Sequence, residues 1–142
     1  MKYFTLLILL CAVMFLQQTV FAQQKIATAA QVNGTWQSKS GTFKILALGG
    51  QKLKIEFFGE YQYKLADGTW TANEGETSGT AAIVNLIATF KPEESNNECL
   101  ITLKFAGGIL NVKQTGFCGF GNNVTAAGRY RKTSARKPKF AD

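Results

Sequence analysis

The sequence contains no histidine. That absence removes Ser-His-Asp and Cys-His nucleophilic catalysis and the common zinc sites together. Cysteine is scarce, with three residues in 142. One of them, Cys11, lies in the apolar N-terminal stretch, which leaves Cys99 and Cys118 for the body of the chain. Long hydrophobic runs are missing as well. The most apolar segment after the N-terminus, residues 80–90, is about half of what a membrane span needs. Convincing helical periodicity is absent beyond residue 22, and no pattern for a metal or organic cofactor occurs.

What is present begins with a leader. Met1-Lys2 gives a positive start, residues 6–16 are apolar and uncharged, and Val20-Phe21-Ala22 ends on a small residue before Gln23-Gln24. This is the layout of a secretory signal peptide cut after Ala22. The alternative, a membrane anchor, is disfavoured by the short run and by the lack of a basic stop behind it. The expectation is an exported protein, periplasmic or secreted, with no transmembrane segment in its mature form. In an oxidising compartment an even cysteine pair reads as a disulfide. Cys99–Cys118 closes a loop of about twenty residues, worth roughly 3 kcal/mol in the chain-entropy picture.

The formal charge of +7 is unevenly placed. Residues 23–128 carry nine lysines against eight acids, which is close to neutral. Arg129, Arg131, Lys132, Arg136, Lys137 and Lys139 crowd the last fourteen residues against Asp142. The expectation is a spacer over residues 23–31, one domain over 32–132 and a disordered basic tail over 133–142. Lys52, Lys54 and Lys64 on strands, with the aromatics, suggest a nucleic-acid surface, and export argues against it.

The domain reads as all-β. From Gln51, Lys52, Lys54 and Glu56 alternate with Leu53, Ile55 and Phe57, a period of two that marks a half-buried strand. Gly49-Gly50 supplies the positive φ of a tight hairpin to residues 42–48. Further strands are expected over residues 32–36, 61–65, 69–71, 80–90, 99–105, 109–114 and 125–132. Loops are expected at 73–79 and 92–98, and a turn at Ala106-Gly107-Gly108. Short strands at regular spacing with glycine turns predict a single antiparallel up-and-down β-barrel of about eight strands, or alternatively a β-sandwich. Closure of the barrel removes exposed strand edges.

Two resemblances add to this. Gly34-Thr35-Trp36, with Arg129 in the last strand, resembles the calycin group (lipocalins, fatty-acid-binding proteins, avidins). There a G-x-W opens the barrel and a basic side chain from the final strand covers the indole. The resemblance implies barrel closure by Trp36, Arg129 and Tyr130, although neighbouring strand residues face opposite ways, so an inward Tyr130 sends Arg129 outward. With only Trp36 and Trp70, the chain lacks the tryptophan set of avidins. Residues 118–130, C-G-F-G-N-N-V-T-A-A-G-R-Y, resemble a C-terminal signature of small exported bacterial proteins of unassigned role. That resemblance implies a bacterial envelope setting and no activity.

The remaining side chains point to binding rather than catalysis. Glu56 and Glu60, and Glu74 and Glu76, read as solvated charges rather than a carboxylate pair for glycoside cleavage. The acidic stretch 93–98 lacks the spaced aspartates of a calcium loop. Gly119, Phe120, Gly121, Asn122 and Asn123 form the best candidate binding loop, with close backbone approach at the glycines and Phe120 as an anchor. The competing reading has Phe117 or Phe120 plugging the barrel end. The expected function is non-enzymatic binding of a small apolar or amphipathic ligand inside the barrel. One alternative is a protein-binding module acting through residues 119–123, such as an inhibitor of a lysozyme-type cell-wall hydrolase. Another is attachment to anionic lipid or lipopolysaccharide through Arg136, Lys137 and Lys139.

Overall fold

The structure, a computed structural model, describes residues 25–92 and 98–141. The leader expected over residues 1–22 and most of the acidic stretch 93–98 lie outside the described residues. One helical turn, α1 (Ala29–Val32), precedes eight strands: β1 (Gly34–Gln37), β2 (Thr42–Gly49), β3 (Lys52–Lys64), β4 (Trp70–Val84), β5 (Ile87–Phe90), β6 (Leu100–Ala106), β7 (Ile109–Thr115) and β8 (Gly128–Ser134). Each strand pairs antiparallel with the next, and β8 pairs back to β1, so the sheet is a closed up-and-down barrel.

The alternation of side chains sets the inside and the outside. Phe43 and Ile45 on β2, Leu53, Ile55 and Phe57 on β3, Ile101, Leu103 and Phe105 on β6, and Leu110 and Val112 on β7 are buried. Their neighbours in sequence point to water. The bore is full. Trp36 and Phe105 meet across it with ring centroids 5.6 Å apart. Phe43 lies 4.8 Å from Phe57 and edge-on to Tyr130 at 4.9 Å. No charged or polar side chain is buried among the described residues apart from Tyr130.

Several segments depart from the sequence reading. Residues 73–79, expected as a loop, are the middle of β4, and the strands expected from residue 52 and over 61–65 merge into β3, which ends at Lys64. The glycines that suggested a loop are packing positions. A Cβ on Gly75 would meet Phe120 at 2.7 Å, and one on Gly79 would meet Phe90 at 3.2 Å, so aromatic rings occupy the space that a side chain would take. Residues 80–90, expected as one strand, break at Asn85 and Leu86, which hold φ of 51° and 64°. Two successive positive φ values make a tight turn of the hairpin type, and Leu86 bears that conformation while its side chain stays buried at the barrel end. The segment expected as a disordered tail is attached. β8 runs to Ser134, Pro138 is buried, Lys54 Nζ sits 4.5 Å above the Phe140 ring, and the Ala141 amide donates to Glu56 Oε2 at 2.7 Å. The basic composition drew attention away from Pro138 and Phe140, two apolar anchors that lie between the charges.

β3 and β4 pair from Lys52↔Ala82 to Lys64↔Trp70, whereas β2 accompanies β3 only as far as Phe58. The remaining six residues of β3, 59–64, therefore run on with β4 as a two-stranded ribbon beyond the barrel. The two ends of the barrel thus differ. One carries α1 and the turns at residues 49–51, 85–86 and 107–108. The other carries the ribbon, the disulfide and the β7–β8 connection.

Candidate functional site at the disulfide end

Cys99 and Cys118 are bonded, with Cα atoms 4.6 Å apart. The bond ties the start of β6 to the chain leaving β7, and the chain turns toward it at Gly116. There φ is +76° and a Cβ would stand 1.6 Å from the Glu98 carbonyl oxygen. Only glycine fits that position.

Beyond the disulfide, the candidate loop 119–123 folds back onto β4. The Gly121 amide donates to the Glu74 carbonyl at 2.9 Å, and Asn73 Nδ2 donates to the Asn122 carbonyl at 2.8 Å. Phe120 points inward. Its ring is 5.4 Å from Phe57 and packs against Gly75. It therefore plugs the barrel end, the competing reading of this loop, and is not a projecting anchor. Phe117 is the exposed aromatic of this connection, at 70 %.

The loop and the ribbon border a shallow, open cleft of about 330 Å³ lined by Tyr61, Tyr63, Asn73, Asn122 and Asn123. Asn122 and Asn123 come from the candidate loop. Tyr61, Tyr63 and Asn73 were not singled out from the sequence. The signal that could have found the tyrosines is the same period of two that marks β3: Leu53, Ile55, Phe57, Gly59, Tyr61 and Tyr63 share one face. Where the barrel ends, that inward face becomes an open platform. The two rings are near parallel, with centroids 6.4 Å apart and planes 24° from each other.

Compared with known proteins, the chain matches no family model, no curated protein and no solved structure.

Of the closure residues, Trp36 lies toward the α1 end, whereas Tyr130 reaches back to the β7–β8 connection. Trp36 is buried, and its Nε1 donates to the Val32 carbonyl at 3.0 Å. Tyr130 is buried, with its hydroxyl donating to the Ala126 carbonyl at 2.8 Å. Burial pushes its pKa up to about 12, against a smaller opposing effect of the Ser38 side chain. Arg129 is exposed, opposite Asn111 on the outer side of the sheet. The cation over the indole is Lys132, with Nζ 4.6 Å from the ring. The correction follows from strand geometry: Lys132 is two residues beyond Tyr130 and shares its face, while Arg129 is one residue away and cannot. Lys132 Nζ also donates to the carbonyls of Ala30 and Gln31 at 2.8 and 3.1 Å. Its pKa lies below the ordinary lysine value because burial disfavours the charge. Arg136, Lys137 and Lys139 are exposed on the attached C-terminal segment.

Proposed function

We propose that the protein is a non-enzymatic exported binding module that holds an amphipathic ligand on the disulfide end of the barrel, in the cleft of Tyr61, Tyr63, Asn73, Asn122 and Asn123. The observation that carries this reading is the contrast between a bore filled by Trp36, Phe43, Phe57, Phe105 and Tyr130 and an open cleft that gathers two tyrosine rings and three amides. An apolar ligand inside the barrel has to displace these packed rings. A ligand in the cleft has to displace only water.

The chemistry of the cleft narrows the ligand class. Near-parallel phenol rings offer apolar faces with polar rims, and asparagine amides offer both donors and acceptors. A pyranose ring has the complementary form, with a C–H face for the tyrosines and hydroxyls for the amides. Among the described residues no carboxylate lines the cleft, and the sequence holds no histidine, which supports binding without turnover. The exported setting comes from the leader, and the calycin-like plan from Gly34-Thr35-Trp36; both belong to this proposal.

The test is an NMR titration of isotope-labelled protein with N-acetylglucosamine trimers and with glucose trimers. The expected result is a set of shift changes confined to Tyr61, Tyr63, Asn73, Asn122 and Asn123 that disappears in Tyr61→Ala. Shift changes elsewhere, or none with either sugar, overturn the saccharide reading. A second reading is favoured by the exposure of Phe117 and Trp70 on this same end, since projecting aromatics suit a protein interface. There the partner is an exported hydrolase of the lysozyme type. Inhibition of lysozyme that is lost in Phe117→Ala supports it, and full lysozyme activity in excess protein removes it.

A further inference from the structure

The end of the barrel opposite the cleft is built differently. We infer that it is a docking surface for an anionic phospholipid bilayer. Four large aliphatic side chains stand exposed there: Ile26 at 69 %, Leu48 at 51 %, Val84 at 49 % and Ile87 at 41 %. They belong to one surface. The Lys25 amide donates to Asn85 Oδ1 at 3.0 Å, which holds the entering chain on the β4–β5 turn between Val84 and Ile87. Gln51 exchanges hydrogen bonds with the backbone of Ala27, and its carbonyl accepts from the Ile83 amide, which places the β2–β3 turn beside Leu48 against the same group.

The charges sort along the barrel axis. Glu60, Asp67 and Glu74 lie on the ribbon, Glu76 sits at its base opposite Phe58, and Glu98 lies beside the disulfide. Glu56, midway along β3, is paired with Lys44. Among the described residues no acid remains near the turns of the α1 end. Lysine and arginine occur at both ends, but among the described residues this one carries cations alone: Lys25, Lys52, Lys104 and Arg131, with Lys132 committed to the α1 carbonyls. Exposed aliphatics on an end that also carries these cations match the interface of an anionic bilayer, where the apolar tips enter below the headgroups and the cations stay among the phosphates. Pairing with a second copy is disfavoured, because a symmetric contact brings these cations face to face.

The surface is tested with the chain from Gln23 onward, which retains α1, every strand and the disulfide. Binding is measured by co-sedimentation with vesicles of phosphatidylcholine containing 30 % phosphatidylglycerol (about a third anionic lipid) and with pure phosphatidylcholine. The expected result is binding to the anionic vesicles only. The partition coefficient should fall about fivefold for each of Lys25→Gln, Lys52→Gln and Lys104→Gln, and should be lost when Leu48 and Ile87 are both replaced by serine. These side chains are exposed, so thermal unfolding of the variants should match the parent. Unchanged binding in the Leu48→Ser, Ile87→Ser variant overturns the proposal. So does binding abolished by deleting residues 135–142 alone, which assigns attachment to the C-terminal segment. A concentration-dependent dimer removed by the same serine substitutions, with no vesicle binding, also overturns it and makes a second copy the occupant.

Discussion

Lys132 lies over Trp36, and the same amine caps the last carbonyls of α1. One side chain from the final strand therefore joins three things: the first strand, the helical turn before it and the indole in the bore. A cation over an indole contributes roughly 0.5–2 kcal/mol depending on burial, and hydrogen bonds to a charged donor add a similar amount. Lys132→Met keeps the stem and removes the charge. It is expected to lower stability by about 1–2 kcal/mol in urea unfolding. Arg129→Met, on the outer face, should shift stability by less than about 0.5 kcal/mol. Equal losses in the two variants count against the assignment of the capping cation to Lys132.

Tyr130 gives the fold an alkaline limit. Its pKa rises from 10.0 to about 12 on folding because burial disfavours the phenolate. Between these values the unfolded chain has released the proton and the folded chain still holds it, so unfolding releases a proton and stability falls as pH rises. The contribution is intact below pH 10 and drops by roughly 2–3 kcal/mol across the window. Chemical unfolding followed from pH 9 to 12 should show this slope, and Tyr130→Phe should flatten it. Lys132 titrates with the opposite sign. Its folded pKa is lowered, so its burial penalty is relieved as pH climbs toward the unfolded lysine value. A Lys132→Met background should therefore steepen the alkaline loss.

Reduction of Cys99–Cys118 should cost about 3 kcal/mol, the value for a loop of this length. Urea midpoints with and without reductant measure it. Gly116→Ala should be more damaging than its size suggests, because the new methyl meets the Glu98 carbonyl and the backbone holds a positive φ. Failure to form the disulfide in refolded Gly116→Ala, read by thiol titration, is the expected outcome, and wild-type yield of the bonded form speaks against this role of Gly116.

Phe120 and Gly75 should behave as a coupled pair. Phe120→Ala opens the barrel plug and is expected to lower stability by about 2 kcal/mol, less than a fully buried phenylalanine because the ring is only partly covered. Gly75→Ala drives a methyl into the Phe120 ring and should also destabilise. In the double variant the second loss should largely vanish, since the methyl then occupies space that the ring has left. Additive losses rule out the direct contact.

Much of the barrel was legible from local pattern. The alternation in β3, the Gly49-Gly50 turn and the turn at Gly107-Gly108 depend on chain periodicity and positive φ, which are properties of neighbouring residues. The disulfide was legible because two cysteines admit one pairing. Other features depend on partners distant in sequence. Gly75 and Gly79 resemble loop residues until Phe120 and Phe90 are seen to fill the space beside them. Leu86 carries no turn signal of its own and is held in the turn beside Asn85 with its side chain buried at the barrel end. Lys132, rather than Arg129, covers Trp36 because the face of the last strand is fixed by its register against β1 and β7.

The candidate site divides in the same way. Asn122 and Asn123 were accessible from glycine-rich composition, whereas Tyr61, Tyr63 and Asn73 became site residues only when β3 outran β2. The sequence by itself determined that this chain is a β protein with one covalent tie and no histidine chemistry, because side-chain period, cysteine number and residue type are local facts. Tertiary structure alone decided that the bore is filled, that the C-terminal segment is fastened and that, among the described residues, the acids other than Glu56 gather at one end. Each of these depends on which strands meet and how far each one extends, a distance information that no single stretch of sequence contains.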